Sequence, residues 1–135
     1  MCQNCGNAQE EETPSLPIPK RLNANILYID LEVSKSIYSN YGPKVPSKYM
    51  RPDNLLKERY IICWTASFIN DDLLFGDCVS PAEAARFMDF STVKTDCDEN
   101  ILKKLHALIR DADIIAGHNV RAFDLKHAFT RFKYY

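Results

Sequence analysis

One early stretch carries a sharper pattern of apolar and polar positions than the rest of the chain: Ile26-Leu27-Tyr28-Ile29-Asp30-Leu31-Glu32-Val33. It is a run of strand-forming residues with two carboxylates set into it, and it predicts a first β-strand. Asp30 and Glu32 are two apart, so on a strand they share a face. A second run, Tyr60 to Ile69, is rich in β-branched and aromatic residues and predicts a second strand. Asn70-Asp71-Asp72 is a turn signal, and Leu73 to Val79 is a third strand, so these two runs are expected to form an antiparallel hairpin.

Helical periodicity takes over afterwards. Ser80-Pro81 is expected to start a short helix through Met88, with Ser80 as cap and proline at the first position. From Asp98 to Asp111 the apolar residues Ile101, Leu102, Leu105, Leu108 and Ile109 form one stripe, which predicts a helix. Asp96 followed by Glu99 resembles a capping box at its start. Asp113 to Gly117 is a short buried strand, and a helix leading into it suggests a parallel crossover beside the first strand. A last helix is expected from about Arg121 to Lys133, burying Leu125, Ala128, Phe129 and Phe132. Asp124 lies near its N-terminus, where the helix dipole favours a carboxylate.

Length and composition frame this as one domain. The 135 residues are 46% hydrophobic, enough to fill a core. A formal net charge of -1 does not suggest a protein that coats nucleic acid non-specifically. The five cysteines are Cys2, Cys5, Cys63, Cys78 and Cys97. That odd count, without a charged-then-apolar leader, points to a reducing cytoplasm rather than a disulfide framework. No apolar run approaches the roughly 18 residues of a membrane span.

Residues 1–22 read as a flexible tail, with Glu10-Glu11-Glu12 and then Pro14, Pro17 and Pro19. Cys2-x-x-Cys5 is half of a zinc knuckle, but no second pair follows at a suitable spacing, and it reads first as an incidental pair in a flexible terminus. Ser34 to Lys57 reads as a long irregular stretch broken by Gly42, Pro43, Pro46 and Pro52. It holds Lys35, Lys44, Lys48, Arg51 and Lys57 against a single Asp53, interleaved with Tyr38, Tyr41 and Tyr49. Such a segment suits a nucleic-acid strand, with cations for phosphates and rings for bases, or is simply a solvated loop. On the first reading Lys44, Lys48 and Arg51 contact substrate.

The chemistry centres on Asp30, Glu32 and Asp124. Two carboxylates on one face of a central strand repel each other and are costly to desolvate. A divalent cation relieves that repulsion, and Mg²⁺ or Mn²⁺ takes hard oxygen ligands. The alternative is an edge strand with both acids in water. If the last strand neighbours the first, Asp124 returns over the sheet and faces the other two. Three converging carboxylates could hold two ions, a pair that activates water and stabilises the leaving oxygen of a phosphodiester.

At this point the residues carry a resemblance. Ile-Asp-Leu-Glu at 29–32 resembles the first motif of the DnaQ-like, or DEDD, 3′–5′ exonucleases, with its Asp-x-Glu. Gly117-His118-Asn119-x-x-x-Phe123-Asp124 resembles their second motif. The motif spacing and Ile61-Ile62-Cys63-Trp64-Thr65-Ala66 resemble phage-encoded members of that ribonuclease H-like superfamily. The resemblance covers about residues 25–135. It implies an α/β fold, a ribonuclease H-like mixed sheet of three antiparallel strands followed by parallel ones, with helices on both faces. It also implies two Mg²⁺ or Mn²⁺ ions, with Asp30, Glu32 and Asp124 as catalytic metal ligands. Asn119 would sit beside the site, with a helix cap as its alternative role. His118 would contact substrate or be satisfied by backbone in the turn. His127 is expected at the surface.

The sequence departs from the family at its third motif, a Tyr or His four residues before a last Asp. The sequence stops at Tyr135, eleven residues after Asp124, with no further acid. It is therefore expected to be the N-terminal portion of such a nuclease, spanning 23–135 after the tail. The expected function is metal-dependent 3′–5′ hydrolysis of nucleic acid, weak or absent in this chain alone. The expected partners are the 3′ end of single-stranded DNA or RNA and a second polypeptide supplying the missing motif. A non-catalytic module that binds nucleic acid or protein is the alternative, and a zinc-binding interaction protein through Cys2 and Cys5 is a third. The expected compartment is the cytoplasm, of a bacterial host if the chain is phage-encoded.

Overall fold

The computed structural model describes residues 24–39, 50–69 and 71–135. The tail, with Cys2 and Cys5, lies outside the described residues, as do Lys44 and Lys48. Among the described residues the fold is α/β, with a four-stranded mixed sheet, a two-stranded sheet and three α-helices.

Strand β1 covers Ile26–Val33, as the sequence predicts. After a two-residue strand β2 (Ile37–Tyr38) and a three-residue strand β3 (Leu55–Lys57) come β4 (Ile61–Phe68) and β5 (Leu74–Cys78). Helix α1 (Pro81–Ala85) is followed by a 3₁₀ turn, then α2 (Glu99–Arg110), β6 (Ile114–Ala116) and α3 (Asp124–Phe132). The four-stranded sheet has the order β5-β4-β1-β6. β4 runs antiparallel to β1 and to β5, and β6 runs parallel to β1. Helix α2 therefore does lead into a strand that lies beside β1 and runs parallel to it.

Alternation along β1 decides what each face does. Leu27, Ile29 and Leu31 are buried, whereas Tyr28, Asp30 and Glu32 are exposed. The buried face joins Ile61, Trp64 and Ala66 of β4 to Ile101, Leu102 and Leu105 of α2 and Ala128 of α3. Each large aliphatic side chain taken out of water there contributes about 1.5–3 kcal/mol. Trp64 is buried with its indole N–H satisfied, donating to the Ile101 carbonyl at 2.9 Å. α2 and α3 thus share one face of the sheet. The expectation of helices on both faces is corrected to that extent, because the Asp30 side carries no buried apolar layer for a helix to cover.

Four local expectations change. The stretch Ser34–Lys57 is not wholly irregular, since β2 and β3 pair antiparallel at its ends. Lys57 is not a groove cation: it is buried, and its ammonium donates to the carbonyls of Asp89, Thr92 and Lys94, tying β3 to that loop. The capping box at Asp96 and Glu99 does not form. Asp98 is the N-cap residue of α2, makes no side-chain cap, and is used elsewhere, while Glu99 pairs with Lys103 at 2.6 Å. Finally, α3 starts at Asp124 rather than Arg121, and its buried residues are Asp124, Ala128 and Arg131, leaving Phe129 exposed. The start of α1 is as expected: the Ser80 hydroxyl accepts from the Glu83 amide, with proline at the first turn.

Candidate active site

The open face of the sheet carries the two acids of β1. Asp30 lies opposite Thr65 and Glu32 opposite Cys63 on β4. Both carboxylates are exposed, and neither is in a salt bridge among the described residues. Two like charges two residues apart on one face, with no described cation paired to them, present hard oxygen atoms of the kind a divalent ion takes.

Asp124 reaches the same strand by another route. β6 pairs with β1 only from Ile26 to Tyr28, so the β1 edge beyond that point has no strand beside it. The Leu31 amide there donates to Asp124 Oδ1 at 2.9 Å, and the carboxylate is buried, 2% exposed. The third acid is therefore brought to the residue between Asp30 and Glu32, but it is engaged with backbone. Among the described residues no group of three or more His, Cys, Asp or Glu side chains is placed to hold a metal ion. Asp30 and Glu32 would supply two carboxylate ligands to a divalent ion bound on that face. Asp124 would have to leave Leu31 or share its second oxygen.

The turn between β6 and α3 explains how the second motif reaches this end of the sheet. A Cβ on Gly117 would stand 2.5 Å from the Ile29 carbonyl oxygen, so only glycine lets the chain cross β1 so closely. Asn119 follows with φ of 55°, in the left-handed region that asparagine tolerates, and its carbonyl accepts from the amides of Ala122 and Phe123. It is a turn residue, five before the start of α3, and not a helix cap. His118 is exposed and lines a groove of about 380 Å³ with Tyr28, Asp30, Thr65, Ser67 and Gly117. His118 and Asp30 thus line one groove. Arg51 is exposed at the start of a 3₁₀ turn.

Comparison of the chain with protein-family models, with curated proteins and with solved structures found no match. Among the described residues no helix is long and apolar enough to cross a membrane.

Two features of this region are not legible in the motifs. His127 is half-buried rather than on the surface, and burial, with Arg59 and Lys126 nearby, holds its pKa below the ordinary value. Cys63 faces Cys78 across β4 and β5. The Val79 amide donates to the Ile62 carbonyl at 2.8 Å, which makes the two cysteines a non-hydrogen-bonded pair. Such pairs have Cα atoms about 4.5 Å apart, inside the range of roughly 4.4–6.8 Å that a disulfide spans. Both are free thiols, and burial with the neighbouring Glu32 carboxylate pushes the Cys63 thiol up. Mild oxidation with diamide is expected to link them slowly. Peptide mapping should find a Cys63–Cys78 crosslink that disappears in Cys78→Ser, and unlinked peptides after prolonged oxidation would contradict the pairing.

Proposed function

We propose that the open face around Asp30, Glu32 and His118, with Asp124 behind it, is the metal-binding part of a 3′–5′ exonuclease site of the ribonuclease H-like kind, acting on single-stranded DNA or RNA. The observation that carries the reading is the pair of carboxylates on the central strand with no salt bridge among the described residues, and Asp124 brought to the residue between them. The order of three antiparallel strands followed by a parallel one is also the arrangement the motif resemblance implies. Mg²⁺ or Mn²⁺ held there would supply an activated water and charge stabilisation at the leaving oxygen. The chain's own part is to hold the ion on Asp30 and Glu32 and to orient the strand through His118 and the cations of 44–51. Lys44 and Lys48 enter on sequence alone.

Asp124, the third acid brought to β1, is held by the Leu31 amide and so is not free for general-base work. General-base assistance is worth about 10²–10⁴ in rate. A 3′-end-labelled or 5′-end-labelled single strand incubated with Mn²⁺ is therefore expected to shorten slowly from its 3′ end. The shortening should stop with a chelator and in Asp30→Ala. Digestion that persists in Asp30→Ala would refute the assignment. A second reading, a non-catalytic module that keeps the sheet and binds nucleic acid or protein, is favoured by one observation: Asp124 is already committed to the Leu31 amide. Strand binding without any digestion at millimolar Mn²⁺ would select it.

A further inference from the structure

Next to the acids, at the carboxyl end of β1, a cavity of about 320 Å³ opens between Val33, the 58–61 stretch and α3. Its position follows from the chain: Val33 succeeds Glu32, and Lys126 lies two residues beyond Asp124. The volume is in the range of small-ligand sites, which begins at about 300 Å³.

Its lining is not that of a packing defect. Arg59 and Lys126 are exposed at the rim, and neither is in an ion pair among the described residues. Arg131 is also on the wall, but its charge is taken by Asp98 at 2.7 Å. The rim therefore has two cations to spare in a chain whose net charge is -1. The lowered pKa of the half-buried His127, due first to burial and then to Arg59 and Lys126, reports the same positive field. Tyr38, Tyr60 and Tyr134 make the wall aromatic.

The most specific group is Glu58. Its Oε1 accepts from the Tyr134 hydroxyl at 3.2 Å. Its Oε2 is buried and has no hydrogen-bond partner among the described residues, and Arg131 Nη1 stands 3.8 Å away. A buried acceptor left unmatched is an uncommon cost in a folded protein, and because Glu58 lines the cavity, rotation of its carboxylate would offer Oε2 to an N–H donor bound there. An occupant that suits all three features carries a phosphate, a flat ring and an N–H donor.

We propose that this cavity binds one nucleotide, its phosphate between Arg59 and Lys126, its base against the tyrosine wall, and an amino group of the base on Glu58 Oε2. The proposal extends the nucleic-acid reading above to a subsite of this chain, but it requires no metal ion. It also predicts selectivity. Adenine and cytosine present an exocyclic amino group where uracil and thymine present a carbonyl oxygen, which a carboxylate repels.

The test is titration of the whole chain, in EDTA, with adenosine 5′-monophosphate, uridine 5′-monophosphate, ribose 5-phosphate and inorganic phosphate, followed by calorimetry or chemical-shift changes. The adenine nucleotide is expected to bind about tenfold tighter than the uracil nucleotide or ribose 5-phosphate. Arg59→Glu and Lys126→Glu, both at exposed positions, should each weaken it at least tenfold. Glu58→Gln should bring adenine and uracil nucleotides to equal affinity while leaving ribose 5-phosphate unchanged. Adenine nucleotide binding no tighter than inorganic phosphate, or unaffected by both charge reversals, would overturn the proposal. Because the assay contains no metal, it separates two failures. Nucleotide binding without strand digestion would uphold the subsite and count against the nuclease reading, and digestion without nucleotide binding would do the reverse.

Discussion

Asp98→Ala is expected to destabilise the folded chain by about 3–5 kcal/mol, the cost of breaking a buried ion pair by removing one partner. Asp98 is fully buried, and Arg131 is 3% exposed. The guanidinium meets both carboxylate oxygens, Nε to Oδ2 at 2.9 Å and Nη2 to Oδ1 at 2.7 Å. The same carboxylate accepts from the Ile61 amide at 2.8 Å and from the Tyr135 hydroxyl at 3.1 Å, while Arg131 also donates to the Thr95 carbonyl at 2.6 Å. One side chain thus fastens the start of β4, the N-terminus of α2, and α3. Removing it strands a buried guanidinium and an unpaired amide together. Urea denaturation followed by circular dichroism checks this, and a loss below about 1 kcal/mol would contradict the network's role. Adding Arg131→Met to Asp98→Ala should recover part of the loss, because the orphaned charge goes too. Burial, then the Asp98 charge, raises the Tyr135 hydroxyl above its ordinary value of 10.0. The folded state therefore holds that proton more tightly. The contribution is fully present below pH 10 and is lost as the pH climbs past it.

Two substitutions at Asp124 are expected to come apart. Asp124→Ala leaves the Leu31 amide buried without an acceptor, at a cost of about 1–3 kcal/mol. Asp124→Asn keeps a carbonyl oxygen for that amide and should cost less than about 1 kcal/mol. It removes the charge, however, and with it any support for a cation on Asp30 and Glu32. Mn²⁺ affinity is expected to fall about tenfold in Asp124→Asn, equivalent to about 1.4 kcal/mol. Thermal melts and Mn²⁺ titrations on the two variants check this. An asparagine variant with unchanged Mn²⁺ affinity would make Asp124 a backbone cap and nothing more.

Much of this was legible in order along the chain because the signals are local. The strand at 26–33 is bounded by its own apolar run, and its alternation places Asp30 and Glu32 on one face before any partner is known. The amphipathic stripe of α2 and the short apolar run after it were enough to put β6 parallel to β1. What failed depended on partners far away in sequence. Asp98 reads only as the first residue of the α2 stretch, yet Ile61 and Arg131 claim both its oxygens. Arg131 falls seven residues after Asp124 and three after Ala128, on the true buried stripe of α3. Choosing Phe129 instead rotates that stripe, because apolar character outranks charge in a periodicity count. A charged residue at a buried helical position was the available sign of a hidden counter-ion. Lys57 was miscounted likewise: composition sees a cation, while three loop carbonyls bury it. The engagement of Asp124 with Leu31 has no sequence signal, since it arises from where β6 parts from β1.

The proposed site rests on Asp30 and Glu32 as ligands of a divalent cation, and calorimetric titration of Mn²⁺ into the chain and into Asp30→Ala and Glu32→Ala tests that most directly. Both side chains are exposed, so neither change should lower the melting temperature, and relief of like-charge repulsion should raise it slightly. The account predicts saturable binding to the parent chain and at least tenfold weaker binding to each variant, with the folds intact. Equal Mn²⁺ affinity in all three proteins, or none in any, would contradict it.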